Sequence, residues 1–159
     1  MNIYTVSLFG HRSLLNPLSV EEHLEHEVYK ILKNHSYVKF LIGRIGEFDL
    51  MAALTVRRVM KSYRRFNCSL ILVLPYENKS VEQNRNSFLN LYDEIEICSA
   101  SADAYYKSAF QLRNQNMIDR SDLVLCCIEH ESGGAYQAVL YAGRQQCGII
   151  NLAEKQMQT

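Results

Sequence analysis

The chain has 159 residues, with 17 basic and 17 acidic side chains and a formal net charge of zero. A chain of this length buries about 70% of the surface that its unfolded form exposes, so it needs no disulfide or structural metal to fold. The neutral charge argues against a partner held by bulk positive charge, such as duplex DNA, and favours a small or locally recognised ligand.

The cysteines and the apolar runs bear on cellular location. Five cysteines, with no CxxC pair, lie mostly inside apolar runs, as is typical of core residues in a reducing compartment. The N-terminal segment MNIYTVSLFG lacks the basic region of a signal peptide. No apolar run approaches the length of about 18 residues that a membrane helix needs. We therefore expect a cytoplasmic protein without a signal peptide or a membrane span.

Apolar strand patterns and helical patterns alternate along the chain. In chain order, the predicted elements are a strand at 3–9, a helix at 19–34, a strand at 38–42, a helix at 47–65, a strand at 69–74, a helix at 80–91, a strand at 94–98, a helix at 103–119, a strand at 123–128, a helix at 135–146 and a strand at 149–152. This order predicts right-handed βαβ crossovers and an α/β fold, a single Rossmann-like three-layer domain with a mainly parallel sheet. We expect one domain over 1–159, with its core at about 3–152. The place of the 94–98 strand in the sheet stays open.

The start of the first predicted helix and the end of the second contain recognisable residue patterns. Ser19, with Glu22 three residues later, forms a capping box that predicts where the first helix begins. The second helix ends in a basic cluster that contains Arg57, Arg58, Lys61, Arg64 and Arg65. Basic residues at a helix C-terminus complement the helix dipole, so we interpret the cluster as capping and solubility, with a nucleic-acid patch as the alternative.

Three loops that leave the carboxyl ends of predicted strands combine glycines with charged or polar residues. They contain Gly10, His11 and Arg12; Gly43, Arg44, Gly46, Glu47 and Asp49; and Ser132, Gly133, Gly134, Ala135 and Tyr136. In open α/β sheets, ligands bind outside the carboxyl ends of the strands, where helix N-termini offer free amides to a phosphate. We therefore expect these loops to surround one ligand site.

The charged residues of these loops and of the helix at 103–119 suggest roles. Arg12, Arg44 and Arg113 are candidate clamps for phosphate or carboxylate, because a guanidinium offers a flat fork of donors. Glu47 could hold ribose hydroxyls, and Glu47 or Asp49 could act as a general acid or base if burial raised its pKa. Both carboxylates also suit the first turn of a helix for purely structural reasons.

Other chemistries find less support in the sequence. His11 and His130 could converge on the cleft, but no HxxxH, HExxH or Cys/His spacing occurs, so we expect no metal site and no resident cofactor. Tyr105 and Tyr106 could stack on a base, although tyrosines at a helix start are more often core or rim residues. There is no GxSxG elbow and no GxxxxGK[ST] phosphate loop, which argues against an α/β-hydrolase and a P-loop NTPase.

The order of several motifs resembles a known family. FGHR, GRIGEFDLMAA, LVLPY, RNQNMIDRSDLVL and SGGAYQAVLYA occur in the order and spacing of the YpsA-like branch of the SLOG superfamily. This superfamily joins the DNA-processing protein DprA with the LOG phosphoribohydrolases that activate cytokinins. The resemblance implies a SLOG-like Rossmannoid domain whose glycine-rich loops bind nucleotides or nucleotide-derived ligands, and homodimers or larger homo-oligomers. It assigns ligand binding to the residues of the three loops and to Arg113 and Asn114, which match the RN pair of the family.

One motif departs from the LOG enzymes. Their PGGxGTxxE motif provides a threonine for phosphate and a glutamate for the ribose. The corresponding segment here is SGGAYQAV, which lacks both residues, and Ala135 stands where many YpsA-like sequences have a threonine. Arg113 does match the arginine that helps to hold substrate in those enzymes. The resemblance therefore implies binding more directly than it implies that hydrolysis.

Three functions remain open from the sequence. The first is a sensor, carrier or sequestering protein for a nucleotide-derived small molecule such as ADP-ribose, NAD or a signalling nucleotide. The second is a hydrolase that cleaves an N-glycosidic or phosphoanhydride bond of such a ligand with Glu47 or Asp49. The third is DprA-like binding of single-stranded nucleic acid, and the neutral charge makes it the weakest of the three.

Overall fold

The computed structural model describes residues 2–63 and 67–153. Its elements, in chain order, are β1 (Tyr4–Gly10), α1 (Pro17–Asn34), β2 (Val38–Ile42), α2 (Glu47–Ser62), β3 (Cys68–Leu74), α3 (Lys79–Gln83), α4 (Arg85–Phe88), β4 (Glu94–Ile97), α5 (Tyr106–Asp119), β5 (Leu123–Cys127), α6 (Gly133–Arg144) and β6 (Gly148–Asn151). Arg64 and Arg65, which we assigned to the basic end of the second helix, lie outside the described residues.

The strands form one parallel sheet in the order β4-β3-β2-β1-β5-β6. The α/β, Rossmann-like prediction is therefore confirmed, and the 94–98 strand takes the edge beside β3. The chain adds strands to one side of β1 until β4 and then returns to the other side with β5. This reversal creates a crevice between the carboxyl ends of β1 and β5, where ligands of such sheets bind.

Alternating residues of each strand supply the two cores. Val6 and Leu8 of β1 face a cluster formed with α1 and α2, while Phe9 faces a second cluster with Met117 of α5 and Ala138 of α6. The sheet is thus covered by helices on both sides, as expected for parallel strands.

The start of α1 corrects the sequence prediction. The helix begins at Pro17, and the Oδ1 atom of Asn16 accepts the backbone N–H of Ser19 at 3.5 Å. Ser19 is therefore inside the first turn and is not the N-cap. Proline at the first helical position has no N–H to satisfy, which allows this earlier start.

The segment after β3 also differs from the single helix predicted at 80–91. Two short helices, α3 and α4, meet at Asn84, whose backbone leaves helical geometry (φ −113°, ψ 26°) and whose side chain donates to the Ser80 carbonyl at 2.8 Å. A local side-chain bond of this kind competes with helix continuation. The helix predicted from residue 103 begins only at Tyr106, because the preceding turns are held by Ser101, whose Oγ donates to the Pro75 carbonyl at 2.5 Å.

Within the described residues, no helix is long and apolar enough to cross a membrane.

Gly10 marks a contact that positions the carboxyl end of β1. A Cβ atom at this residue would lie 2.1 Å from Cγ of Phe48, a fully buried side chain of α2. We expect Gly10→Ala to lower the free energy of unfolding by about 1–3 kcal/mol, the usual cost of overpacking a core. Urea denaturation measures this change.

Gly143→Ala is the matched control, since a Cβ there meets nothing within 4 Å and the residue lies in α6. Alanine in a helix favours folding by up to about 1 kcal/mol over glycine, so this variant should be neutral or stabilised. Equal effects of the two substitutions would contradict the contact between Gly10 and Phe48.

Candidate functional site

A cleft of about 530 Å³ lies at the reversal of the sheet. Gly10 and Cys127, the last residues of β1 and β5, are register partners, so the loops that follow them leave from the same place. Asp49, Arg113 and Asn114 line the cleft, and so do the first residues of α6. The cleft therefore combines charged groups with a helix N-terminus.

Arg113 is a buried guanidinium that reaches from α5 over the end of the sheet. Its Nη1 donates to the carbonyl of Val73 in β3 at 3.1 Å, and Nε and Nη2 donate to Oδ1 of Asn114 at 3.1 and 2.9 Å. Its guanidinium also lies 5.2 Å from the centre of the Phe110 ring. Burial lowers the pKa of Arg113, and the nearby Asp49 partly offsets this effect. Arginine nevertheless keeps its charge in proteins.

Asp49 faces Arg113 across Gly43. A Cβ at Gly43 would lie 3.0 Å from Nη1 of Arg113 and 3.1 Å from Oδ2 of Asp49, so a side chain here would crowd both groups. Burial raises the pKa of Asp49 from 3.8 to about 7, although Arg113 and the Ile45 N–H, which donates to Oδ2 at 3.1 Å, act in the opposite direction. Asp49 is therefore poised to exchange a proton near neutral pH.

Two other carboxylates hold the loop between β1 and α1. Oε2 of Glu47 accepts the N–H of Leu14 at 3.1 Å, and the carboxylate of Glu129 accepts the N–H of Leu15 at 3.1 and 3.2 Å. Gly46, at φ +105°, brings α2 close to Arg12, whose carbonyl accepts the Glu47 N–H at 2.9 Å. These contacts give the carboxylates of Glu47 and Glu129 a structural role beside the cleft.

His11 and His130 both line the cleft and stack on each other, with ring centres 3.7 Å apart and an interplanar angle of 11°. Nε2 of His11 accepts the backbone N–H of His130 at 3.4 Å, which requires this nitrogen to be unprotonated. Burial, followed by the neighbouring His130, lowers the pKa of His11. His11 is therefore a neutral wall of the cleft at pH 7.

The N-terminus of α6 opens onto the cleft. Its N-cap residue, Ser132, makes no cap bond with its side chain, because Oγ is paired with Nδ1 of His130 at 2.7 Å. The first turn contains no acidic residue, and Cβ atoms at Gly133 or Gly134 would meet nothing within 4 Å. Gly133 has φ +91°, a conformation that favours glycine. The free amides and the positive end of the dipole are thus available to an anion.

Most of the residues predicted for the site converge on this cleft. Its lining includes Gly10, His11, Arg12, Gly43, Asp49, Arg113, Asn114, Gly133, Gly134 and Ala135. Arg44 lies in a smaller adjoining cavity. Four residues predicted for the site do not line the cleft: Gly46, Glu47, Ser132 and Tyr136. The first three contact residues of the loops around it instead.

Two aromatic residues that line the cavities were not predicted from the sequence. Phe110 lines both cavities, and Tyr76 lines the smaller one. Phe110 lies one helical turn before Arg113, so the helical spacing was a usable signal. Tyr105 and Tyr106, which we considered for base stacking, are exposed and pack on each other at the start of α5, outside both cavities.

The basic end of α2 is largely neutralised within the described residues. Arg57 pairs with Asp93 at 3.0 Å and donates to the Leu91 carbonyl. Arg58 pairs with Glu21 and Glu25 of α1 at 3.1 and 3.3 Å. These arginines tie α2 to its neighbours, which supports the structural interpretation of the cluster over a nucleic-acid patch.

A family model matches most of the chain. The sequence model YpsA, described as the YspA SLOG family, matches residues 16–148. No curated protein matches the chain.

Two solved structures of DNA processing protein A share the fold. One describes the single-stranded DNA binding mode of the Helicobacter pylori protein and superposes with a TM-score of 0.66 at 16% identity, over 98% of this chain and 68% of that chain. The other, DprA from Streptococcus pneumoniae, gives a TM-score of 0.64 at 12% identity, over 98% and 52%. The chain thus spans about half the length of the pneumococcal protein. At these identities the likeness establishes the fold alone.

The raised pKa of Asp49 predicts a pH-dependent stability. Between its ordinary pKa of 3.8 and its folded value of about 7, the folded state holds a proton that the unfolded state has released. The free energy of unfolding therefore falls as pH rises through this window. Asp49→Asn cannot ionise, so the wild type should lose about 2–3 kcal/mol of stability relative to this variant between about pH 5 and pH 8. The Tm of Asp49→Asn should therefore rise relative to that of the wild type by about 5–10 °C over this range.

Thermal unfolding across this pH range tests the prediction. Asp103→Asn, which removes an exposed carboxylate outside the cleft, is the control and should follow the wild type. Parallel pH profiles of Asp49→Asn and the wild type would show that Asp49 ionises as an ordinary carboxylate.

Proposed function

The chain belongs to the YpsA family of SLOG proteins, and on this basis we propose that it binds a phosphate-bearing, nucleotide-derived small molecule in the cleft, as a sensor, carrier or sequestering protein. A cleft of about 530 Å³ has the size typical of small-molecule sites. Cysteines that lie mostly in apolar runs support a cytoplasmic location, and the family resemblance supports pairing of protomers.

The observation that carries this proposal is the open N-terminus of α6. It has no side-chain cap and no acidic residue in its first turn, and its two glycines leave the space above it empty. Arg12 and Arg113 line the same cleft. A phosphate there would accept amide hydrogen bonds and charge-assisted bonds from guanidinium groups.

The proposal assigns the ribose contact to Asp49 instead of Glu47. Asp49 lines the cleft beside Arg113, whereas Oε2 of Glu47 already accepts the Leu14 N–H. A carboxyl group in this position can accept or donate a hydrogen bond to a hydroxyl, depending on its protonation.

Hydrolysis of the ligand is the alternative, and the environment of Asp49 favours it. A carboxyl group with a pKa of about 7, next to a guanidinium in a cleft, has the properties of a general acid or base. In this alternative, Asp49→Asn abolishes turnover and retains most of the affinity.

Binding of single-stranded nucleic acid is a second candidate, favoured by the fold shared with the Helicobacter pylori protein. The zero net charge and the paired arginines of α2 count against it. Such binding would weaken steeply with salt, whereas a pocket ligand with one or two phosphates would show a shallow dependence.

A charge placed at the start of α6 tests the proposal. We expect Gly134→Asp to reduce the affinity for ADP and ribose 5-phosphate at least about tenfold, because like charges a few ångströms apart repel by several kcal/mol near a protein surface. The substitution should not destabilise the fold, since an acidic residue in the first turn is favourable. Isothermal titration calorimetry and thermal unfolding measure the two effects.

Gly134→Asn is the matched control, because it adds nearly the same side chain without the charge. It should bind both ligands more tightly than Gly134→Asp. Equal binding by the two variants, or no binding of either ligand by the wild type at millimolar concentration, would refute the phosphate site.

A further inference from the structure

A second cavity of about 70 Å³ adjoins the cleft and shares Ile45, Phe110 and Arg113 with it. We name it the side pocket. Its remaining walls come mainly from the end of β3 and the residues that follow, and it is also lined by Arg44, Pro75, Tyr76 and Asn78. It lies at the same edge of the sheet as the cleft, because the carboxyl ends of parallel strands meet there.

The side pocket is built largely from planar groups. The Tyr76 and Phe110 rings are 6.0 Å apart and nearly perpendicular. The guanidinium of Arg113 covers Phe110 at 5.2 Å, and that of Arg44 lies 5.9 Å from the centre of the Phe88 ring. Aromatic rings and guanidinium planes are the surfaces on which nucleobases stack.

Most donors of Arg113 are occupied by other groups of the protein. Three of its five N–H groups are used by Val73 and Asn114. The remaining two are on Nη1 and Nη2, which lie beside Gly43 in the cleft. Arg113 therefore offers its two remaining donors to the cleft, while its plane packs on Phe110, a wall that the two cavities share.

Asn78 adds a polar group to the rim. Its Oδ1 accepts the Val81 N–H at 3.1 Å, so its amide nitrogen is the group left to face a ligand. This nitrogen donates, and the edge of a heteroaromatic ring carries acceptors. With room for about two or three water molecules, the pocket takes the edge of one ring and not a whole nucleotide.

The distance between the two ends of the combined cavity limits the ligand. The side pocket follows β3, whereas α6 follows β5, and β2 and β1 lie between these strands. Three strand spacings of about 4.8 Å make roughly 14 Å. A pentose phosphate is too short for this span, and a ribonucleoside carrying a diphosphate is long enough.

We propose that the side pocket binds the heteroaromatic base of a nucleoside diphosphate or diphosphate-linked nucleotide, whose phosphate end lies at the N-terminus of α6. The Tyr76 and Phe110 rings and the Arg44 guanidinium contact the base, and Asn78 donates to its edge. This inference rests on the proposed function, since it extends the same ligand from its phosphate to its base.

Comparing ADP with ribose 5-phosphate tests the inference by calorimetry. Tyr76→Leu keeps an apolar side chain but removes the ring, and it should weaken ADP binding about tenfold, as loss of one stacking side chain does. Its affinity for ribose 5-phosphate, which has no base, should stay unchanged. Arg44→Gln should show the same selective loss of ADP binding. Because Arg44 is partly exposed, this second variant keeps the test valid if Tyr76→Leu does not fold.

Tyr29→Ala is the control for loss of a tyrosine, because Tyr29 lies on α1 outside both cavities. The base is not in the side pocket if Tyr76→Leu and Arg44→Gln bind ADP as tightly as this control does. The same conclusion follows if they weaken the binding of ADP and of ribose 5-phosphate equally. In either case the proposed phosphate site is unaffected. If the wild type binds neither ligand, the proposed function fails and this inference with it.

Discussion

The buried charge of Arg113 is the constraint on which the rest of the candidate site depends. A charge below the protein surface needs hydrogen-bond partners, and Arg113 finds them in Asn114 and in the Val73 carbonyl. Asp49 is the carboxyl group that interacts with this charge, and both side chains lie against Gly43. The burial that lowers the pKa of Arg113 also raises that of Asp49, so one environment produces both a fixed cation and a proton-exchanging acid.

The surrounding loops leave this cation available to an anionic ligand. Glu47 and Glu129 could have neutralised the cleft, but their carboxylates accept backbone amides of the loop after β1. Ser132 is similarly occupied by His130, which leaves the N-terminus of α6 without a side-chain cap. The carboxylates of Glu47 and Glu129 are turned towards amides, and an uncapped helix lies beside an arginine. These features support the proposed phosphate site even though the chain as a whole is neutral.

Sequence patterns predicted the fold more completely than they predicted the candidate site. Apolar, β-rich runs and helical spacing gave the alternation of elements, and the family resemblance is confirmed. Helix starts were less predictable, because Asn16 and Ser19 are both good N-caps and only the neighbouring proline decides between them. Glu47 and Asp49 lie in the same helical turn, so the sequence did not distinguish their roles. In the structure, Glu47 accepts a loop amide, whereas Asp49 lines the cleft. The pairing of Phe110 with the end of β3 depends on tertiary packing, which local spacing does not encode.

Thermal unfolding of the wild type with nucleoside phosphates, NAD, ADP-ribose and cyclic nucleotides, followed by analysis for released base or phosphate, tests the central claim most directly. A ligand at about 100 times its Kd adds about 2.7 kcal/mol, which raises the Tm of a domain of this size by about 5–10 °C. We predict such a shift with at least one diphosphate-containing nucleotide, recovered intact by a binding protein or as products by a hydrolase. No shift with any member of the panel would contradict a nucleotide site in this cleft.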